Sequence, residues 1–225
     1  MKTRSDLIRH AAAAMVVAAQ GLTALVIVRL GPTHPIPMHF DAAGQVNRWG
    51  DRDEAARLVL LMAALSAVTW LGLGAMSRRR DAPPGREQGL LFSQLIMFAI
   101  TSAVCALALA LTFGWLANAG GAAGMAILCG VLALVGAYLG KMSPNALVGV
   151  RTPWTYASRL AWDRSNRLAG RLFFWGGLAG LVAAPLAPQP IGMQATVAGV
   201  MLIAALAVFE SWRVWRTDPD RRSVF

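Results

Sequence analysis

The strongest constraint on this chain is the length of its uncharged stretches. Residues 11–28, 58–77, 89–117, 122–140 and 172–209 contain no Asp, Glu, Lys, Arg or His. About 20 helical residues at 1.5 Å each cross about 30 Å of hydrocarbon, so each of the first four reads as one membrane-spanning helix. The fifth is too long for a single crossing and carries Pro185, Pro188 and Pro190 in its middle. Three prolines so close together disrupt a continuous helix, so two helices joined by a tight turn are expected there. The fold class that follows is all-α: a polytopic membrane protein of six transmembrane helices with a short structured outer loop.

Charge supports this reading and orients it. Only 14% of the 225 residues are charged, against 56% hydrophobic, too few to cover the surface of a soluble domain. The net charge of +10 is not a nucleic-acid footprint. Of the 21 basic residues, 17 lie in segments 1–10, 78–88, 141–171 and 210–225. The other four, Arg29, Arg48, Arg52 and Arg57, are balanced by Asp41, Asp51, Asp53 and Glu54. The positive-inside rule then puts both termini and the basic segments in the cytoplasm. Val17-Ala18-Ala19 has the composition of a signal-peptide cleavage site, but the apolar run continues to Leu30, and an uncleaved anchor is expected.

The spans hold no Asp, Glu, Lys, Arg or His, which counts against ion-coupled transport and against intramembrane proteolysis. No enzymatic activity and no cofactor are expected. Gln20, Gln94 and Gln194 are the strongest polar groups in the spans and read as bonds between helices, while Gly136-x-x-x-Gly140 and Gly176-x-x-x-Gly180 permit close backbone approach. Cys105 and Cys129 fall within spans and read as packing residues.

Between the first two spans, Pro32, Pro35 and Pro37 favour extended backbone. Ile36, Met38 and Phe40 alternate as a short strand would, residues 41–44 have turn composition, and Val46 to Trp49 is placed to return antiparallel. Asp51 and Glu54 resemble a capping start for the next helix, and acids there suit the helix dipole. His34, His39 and Asp41 are ligand types at close spacing, but no Cys or further His nearby completes a zinc shell, so hydrogen bonding in a turn is the simpler reading. Trp49 reads first as an interfacial anchor.

The segment 141–171 carries more than a topology signal. It contains Asn145, Gly149, Arg151, the Thr152-Pro153-Trp154 turn, and then Trp162, Asn166 and Gly170 at i, i+4, i+8 on one helical face. Asp163 sits four residues from both Arg159 and Arg167 and suits ion pairs along that helix, whereas Arg151 has no acid near it in sequence.

Asn145, Gly149-Val-Arg-Thr-Pro-Trp154, Trp162, Asn166-Arg167, Gly170 and Gly176-Gly177 resemble the signature of the SdpI/YfhL family of bacterial membrane proteins. The outer segment Pro35-Ile-Pro-Met-His-Phe40, Gly44 and Trp49-Gly50 is similar to the DUF1648-like domain of unknown function that accompanies it. The two motifs divide the chain into a two-span unit, 1–88, with the outer loop 31–57, and a four-span unit, 89–225, with the inner loop 141–171.

The resemblance implies a multi-pass protein of the bacterial inner membrane, non-enzymatic and of the immunity type. Such a protein protects against, or senses, a secreted antimicrobial peptide and relays its presence to a cytoplasmic repressor. The expected partners are the lipid bilayer, a peptide toxin outside and a repressor inside, with no nucleic acid. The expected binding residues are Pro35, Pro37, His39, Phe40, Gly44 and Trp49 outside, and Asn145, Gly149, Arg151, Thr152, Pro153, Trp154, Trp162, Asn166, Arg167 and Gly170 inside, with no metal. The alternative reading is a permease for a small or lipidic solute.

Overall fold

The computed structural model describes residues 4–41, 45–77, 86–116, 120–145 and 148–222. In chain order the elements are α1 (Arg4–Leu30), a hairpin of β1 (Ile36–Phe40) and β2 (Val46–Gly50), α2 (Arg52–Ser77), α3 (Arg86–Thr112), α4 (Gly120–Leu139), a short α5 (Pro153–Ala157), α6 (Arg159–Ala183) and α7 (Ile191–Thr217). Five of these, α1, α2, α3, α4 and α7, are long and apolar enough to cross a membrane. Many of their large side chains, such as Leu22, Leu60, Leu61, Val68, Met201 and Leu202, point outward, as lipid-facing residues do.

The fold is therefore an all-α polytopic membrane protein. The sixth expected crossing falls on the last part of α6. That helix carries Arg159, Asp163, Arg164, Arg167 and Arg171 in its first half, and its uncharged portion, Leu172–Ala183, is 12 residues long, about 18 Å of helix. Length and composition alone do not qualify it as a span. The break between α6 and α7 falls on the three prolines, at residues 184–190.

The chain divides into two compact units, Met1–Met76 with Met97–Ala123, and Ser77–Ile96 with Gly124–Phe225, so α3 contributes to both. In the first unit Ala24, Ile27, Ala55, Ala56, Val59, Cys105 and Ala108 form a buried core, and Ile36 of the hairpin joins it. The hairpin is antiparallel, pairing Ile36 with Gly50 and Pro37 with Trp49, and its register is irregular on both sides of His39. The Asp51 carboxylate accepts the Glu54 amide at 2.7 Å, which caps the start of α2 as its spacing implies.

Deeper in this unit, Gln20 of α1 donates to Thr101 and Ser102 of α3 at 3.1 and 3.2 Å, and Ser66 of α2 lies 2.8 Å from Thr101. Thr101 of α3 thus ties three helices, meeting Gln20 of α1 and Ser66 of α2. Gln194 is exposed on α7, so it makes no such tie within the bundle.

In the second unit the glycines draw α4 and α6 together. A Cβ on Gly136 would lie 2.2 Å from the Phe174 amide nitrogen and 2.6 Å from the Gly170 oxygen, and one on Gly177 would lie 2.6 Å from the Cys129 oxygen. The expected pairing of Gly176 with Gly180 is corrected here. Gly177 and Gly180 face α4, while Gly176, about 100° round the helix from Gly177, has only the tip of Ile203 within 4 Å. Leu139, Ala169 and Ala207 then bury the junction of α4, α6 and α7.

Candidate functional site

At the charged end of the second unit, three short segments are knitted to α6. The chain leaves α4 through Gly140 and Lys141 and turns at Ser143-Pro144-Asn145, where the Asn145 amide donates to the Ser143 carbonyl and its oxygen accepts the Val148 amide. Gly149 follows with φ of +135°, a region that disfavours side chains, and a Cβ there would press within 2.7 Å of the Trp162 ring and 2.9 Å of the Asn166 oxygen. Glycine is therefore required twice, by conformation and by space.

Trp162 and Asn166 are the hub. Trp162 is fully buried and its indole N–H donates to the Met142 carbonyl at 2.9 Å. Asn166, one turn later, accepts the Val150 amide at 2.8 Å and donates to the Trp162 carbonyl at 2.9 Å. One turn further, Gly170 lies against Gly136 and Gly140 of α4. The i, i+4, i+8 pattern thus marks the buried stripe of α6, and each member secures a different stretch of chain.

The Thr152-Pro153-Trp154 turn begins α5 with a reciprocal cap. Thr152 Oγ1 accepts the Thr155 amide, and Thr155 Oγ1 accepts the Thr152 amide, with Pro153 in the first turn where its missing N–H costs nothing. Thr152 Oγ1 also lies 3.0 Å from Ser211 Oγ on α7. Ser158 ends α5 and caps α6, accepting the Ala161 amide at 2.9 Å, and its hydroxyl donates to the buried Asp218 carboxylate. The Arg222 amide adds a bond to the Ala157 carbonyl at 2.9 Å. Segments 141–145, 148–160 and 210–222 therefore lie at one end of the unit, with the proline turn at the other.

Asn145, Gly149, Thr152, Trp162, Asn166 and Gly170 spend their polar groups and space inside the fold. Arg151 and Pro153 are exposed and Trp154 is half-buried. Arg167 is an exposed partner of Asp163, at 3.9 Å, with Arg159 at 3.6 Å on the other side. A cleft of about 360 Å³ between α4, α6 and α7 includes Gly149, Arg151 and Thr152 in its lining.

Sequence reasoning missed Ser158, Ser211 and Asp218. Only the Ser158-to-Ala161 spacing before a helix hinted at a cap, because partners 59 and 60 residues apart leave no local signal.

On the hairpin, Trp49 is 56% exposed and lies opposite Pro37. His39 Nδ1 is 2.6 Å from Asn47 Oδ1, and His34 Nδ1 is 3.1 Å from the Pro35 carbonyl. Among the described residues no three His, Cys, Asp or Glu side chains converge as a metal site. Phe40 pairs with Val46 across the strands, and Gly44 lies outside the described residues.

Comparison with known proteins gives one family match: residues 141–211 fit the model of the SdpI/YfhL protein family. No curated protein and no solved structure matches the chain.

Proposed function

We propose that this chain, an SdpI/YfhL family member through its residues 141–211, is a non-enzymatic immunity-type protein of the bacterial inner membrane. It confers protection against, or senses, a secreted antimicrobial peptide. The observation that carries the reading is the coincidence of the family segment with the interlocked module of the second unit: Asn145, Gly149, Thr152, Trp162, Asn166 and Gly170 all act there, and Ser211 closes it from α7. In this chain the segment that matches the family is thus a specific tertiary construction.

In this reading α6 supplies a sixth crossing, and the termini and segment 141–171 are cytoplasmic, a placement that the charge distribution supports. The outer hairpin, similar to the DUF1648-like domain, presents Pro35, Pro37, His39, Phe40 and Trp49 to a peptide outside. Arg151, Pro153 and Trp154 form the inner surface that a cytoplasmic repressor meets.

The test is survival. A toxin-sensitive bacterium expressing the chain, with membrane insertion verified by immunoblot, is expected to outlive the vector control when challenged with family toxins. Trp49→Ala is expected to reduce that protection without lowering the amount of protein in the membrane. Unchanged killing across the toxin panel refutes the proposal.

A further inference from the structure

A groove in the second unit is untouched by the reading above. It lies along α6 where that helix meets α4 and α7, has a volume of about 680 Å³, and is lined at one end by Lys141, Arg164, Arg167 and Arg171. Among the described residues the only acid in its lining is Glu210. That carboxylate is already held by Arg213, whose Nε and Nη2 donate to its two oxygens at 2.8 and 2.9 Å. Asp163 serves Arg159 and Arg167 on the adjoining face. Among the described residues, Arg164 and Arg171 meet no carboxylate within 4 Å.

Three arginines at 164, 167 and 171 share one helical stripe and repel one another, and Lys141 adds to the same field. An anion in the groove relieves that repulsion. The remainder of the lining is apolar: Leu168 lies between the arginines, and Phe174 and Trp175 continue the stripe into the uncharged part of α6. Trp175 is 66% exposed, an unfavourable position in water and a suitable one beside lipid. The groove therefore passes from cationic to apolar at the point where α6 loses its charges, which, resting on the proposed reading of α6 as a sixth crossing, is the depth of a lipid headgroup.

We infer that this groove binds one anionic phospholipid, with its phosphate among Lys141, Arg164, Arg167 and Arg171 and an acyl chain along Phe174 and Trp175. Inorganic phosphate shares the headgroup chemistry but makes no use of the apolar half.

Native mass spectrometry of the full-length protein in nonionic detergent tests this, with dioleoylphosphatidylglycerol, dioleoylphosphatidylcholine and inorganic phosphate as probes. One phosphatidylglycerol is expected to bind in preference to phosphatidylcholine. The double variant Arg164→Gln/Arg171→Gln is expected to weaken it by about 30-fold, at the strength typical of two interfacial charges. Arg159→Gln removes a charge from the same helix outside the groove and is expected to leave binding within about twofold. All three arginine positions compared are exposed, and matching melting curves in lipid-free detergent establish that the variants fold. Equal binding of the two lipids, an equal loss in Arg159→Gln, or displacement of phosphatidylglycerol by inorganic phosphate each overturns the inference.

Discussion

Replacing Asn166 with alanine should open the inner loop without dissolving the membrane helices. Asn166 is 1% exposed, and its oxygen is the acceptor for the Val150 amide, 16 residues away. Alanine leaves that amide without its acceptor in a site with little access to water, a cost of about 1–3 kcal/mol. It also leaves space beside Gly149, which sits close against both the Trp162 ring and the Asn166 oxygen, adding about 1 kcal/mol. The bond from Asn166 to the Trp162 carbonyl lies within α6 and its loss adds little. The total is about 2–4 kcal/mol, borne by the segment between α4 and α5.

Limited trypsin digestion reads this directly, because Arg151 is followed by Thr152 and becomes a substrate when the segment detaches. If opening is fast relative to cleavage, the rate at Arg151 follows the population of the open form, and 2 kcal/mol raises it about 30-fold. An unchanged Arg151 rate in Asn166→Ala would show that the amide bond does not hold the loop, and the account of Trp162 and Asn166 as its hub would fail.

Other consequences follow from the same contacts. Gly149→Ala should destabilise this end by about 2 kcal/mol or more, since a Cβ meets Trp162 at 2.7 Å in a backbone region that disfavours it; the Arg151 cleavage rate should rise as in Asn166→Ala. Gly136→Ala should lower the apparent melting temperature in detergent, because the new methyl collides with the backbone of α6, whereas Gly199→Ala on α7, with nothing within 4 Å, should be neutral. Ser158→Ala should cost about 1 kcal/mol for the lost cap and more for the Asp218 carboxylate left buried, so Ser158→Ala/Asp218→Ala should be less damaging than the two single variants added together. Gln20→Met should change stability by no more than about 1 kcal/mol, since the variant loses two modest bonds but also removes a buried amide oxygen that has no partner.

The sequence alone determined whatever depends on neighbours within a few residues or on the absence of charge. Uncharged runs of span length give α1, α2, α3, α4 and α7 because hydrocarbon excludes charge and requires internally satisfied backbone. Pro185, Pro188 and Pro190 separate α6 from α7, the alternation at Ile36, Met38 and Phe40 produces β1, and Asp51 caps α2. The spacing of Trp162, Asn166 and Gly170 also showed that one face of α6 is special.

What that face does was decided by tertiary structure. The same residues, expected from the sequence to bind partners, are buried, and they hold Met142, Val150 and the glycines of α4. Ser158 with Asp218 and Thr152 with Ser211 became partners only because α6 and α7 fold back on each other. The charges at 164, 167 and 171 looked like topology signals until Lys141 and Trp175 were placed beside them in one groove. Helix phase and crossing set these meetings, and neither is written in any local stretch of chain: a side chain's face can be read from its periodicity, but what packs against that face cannot.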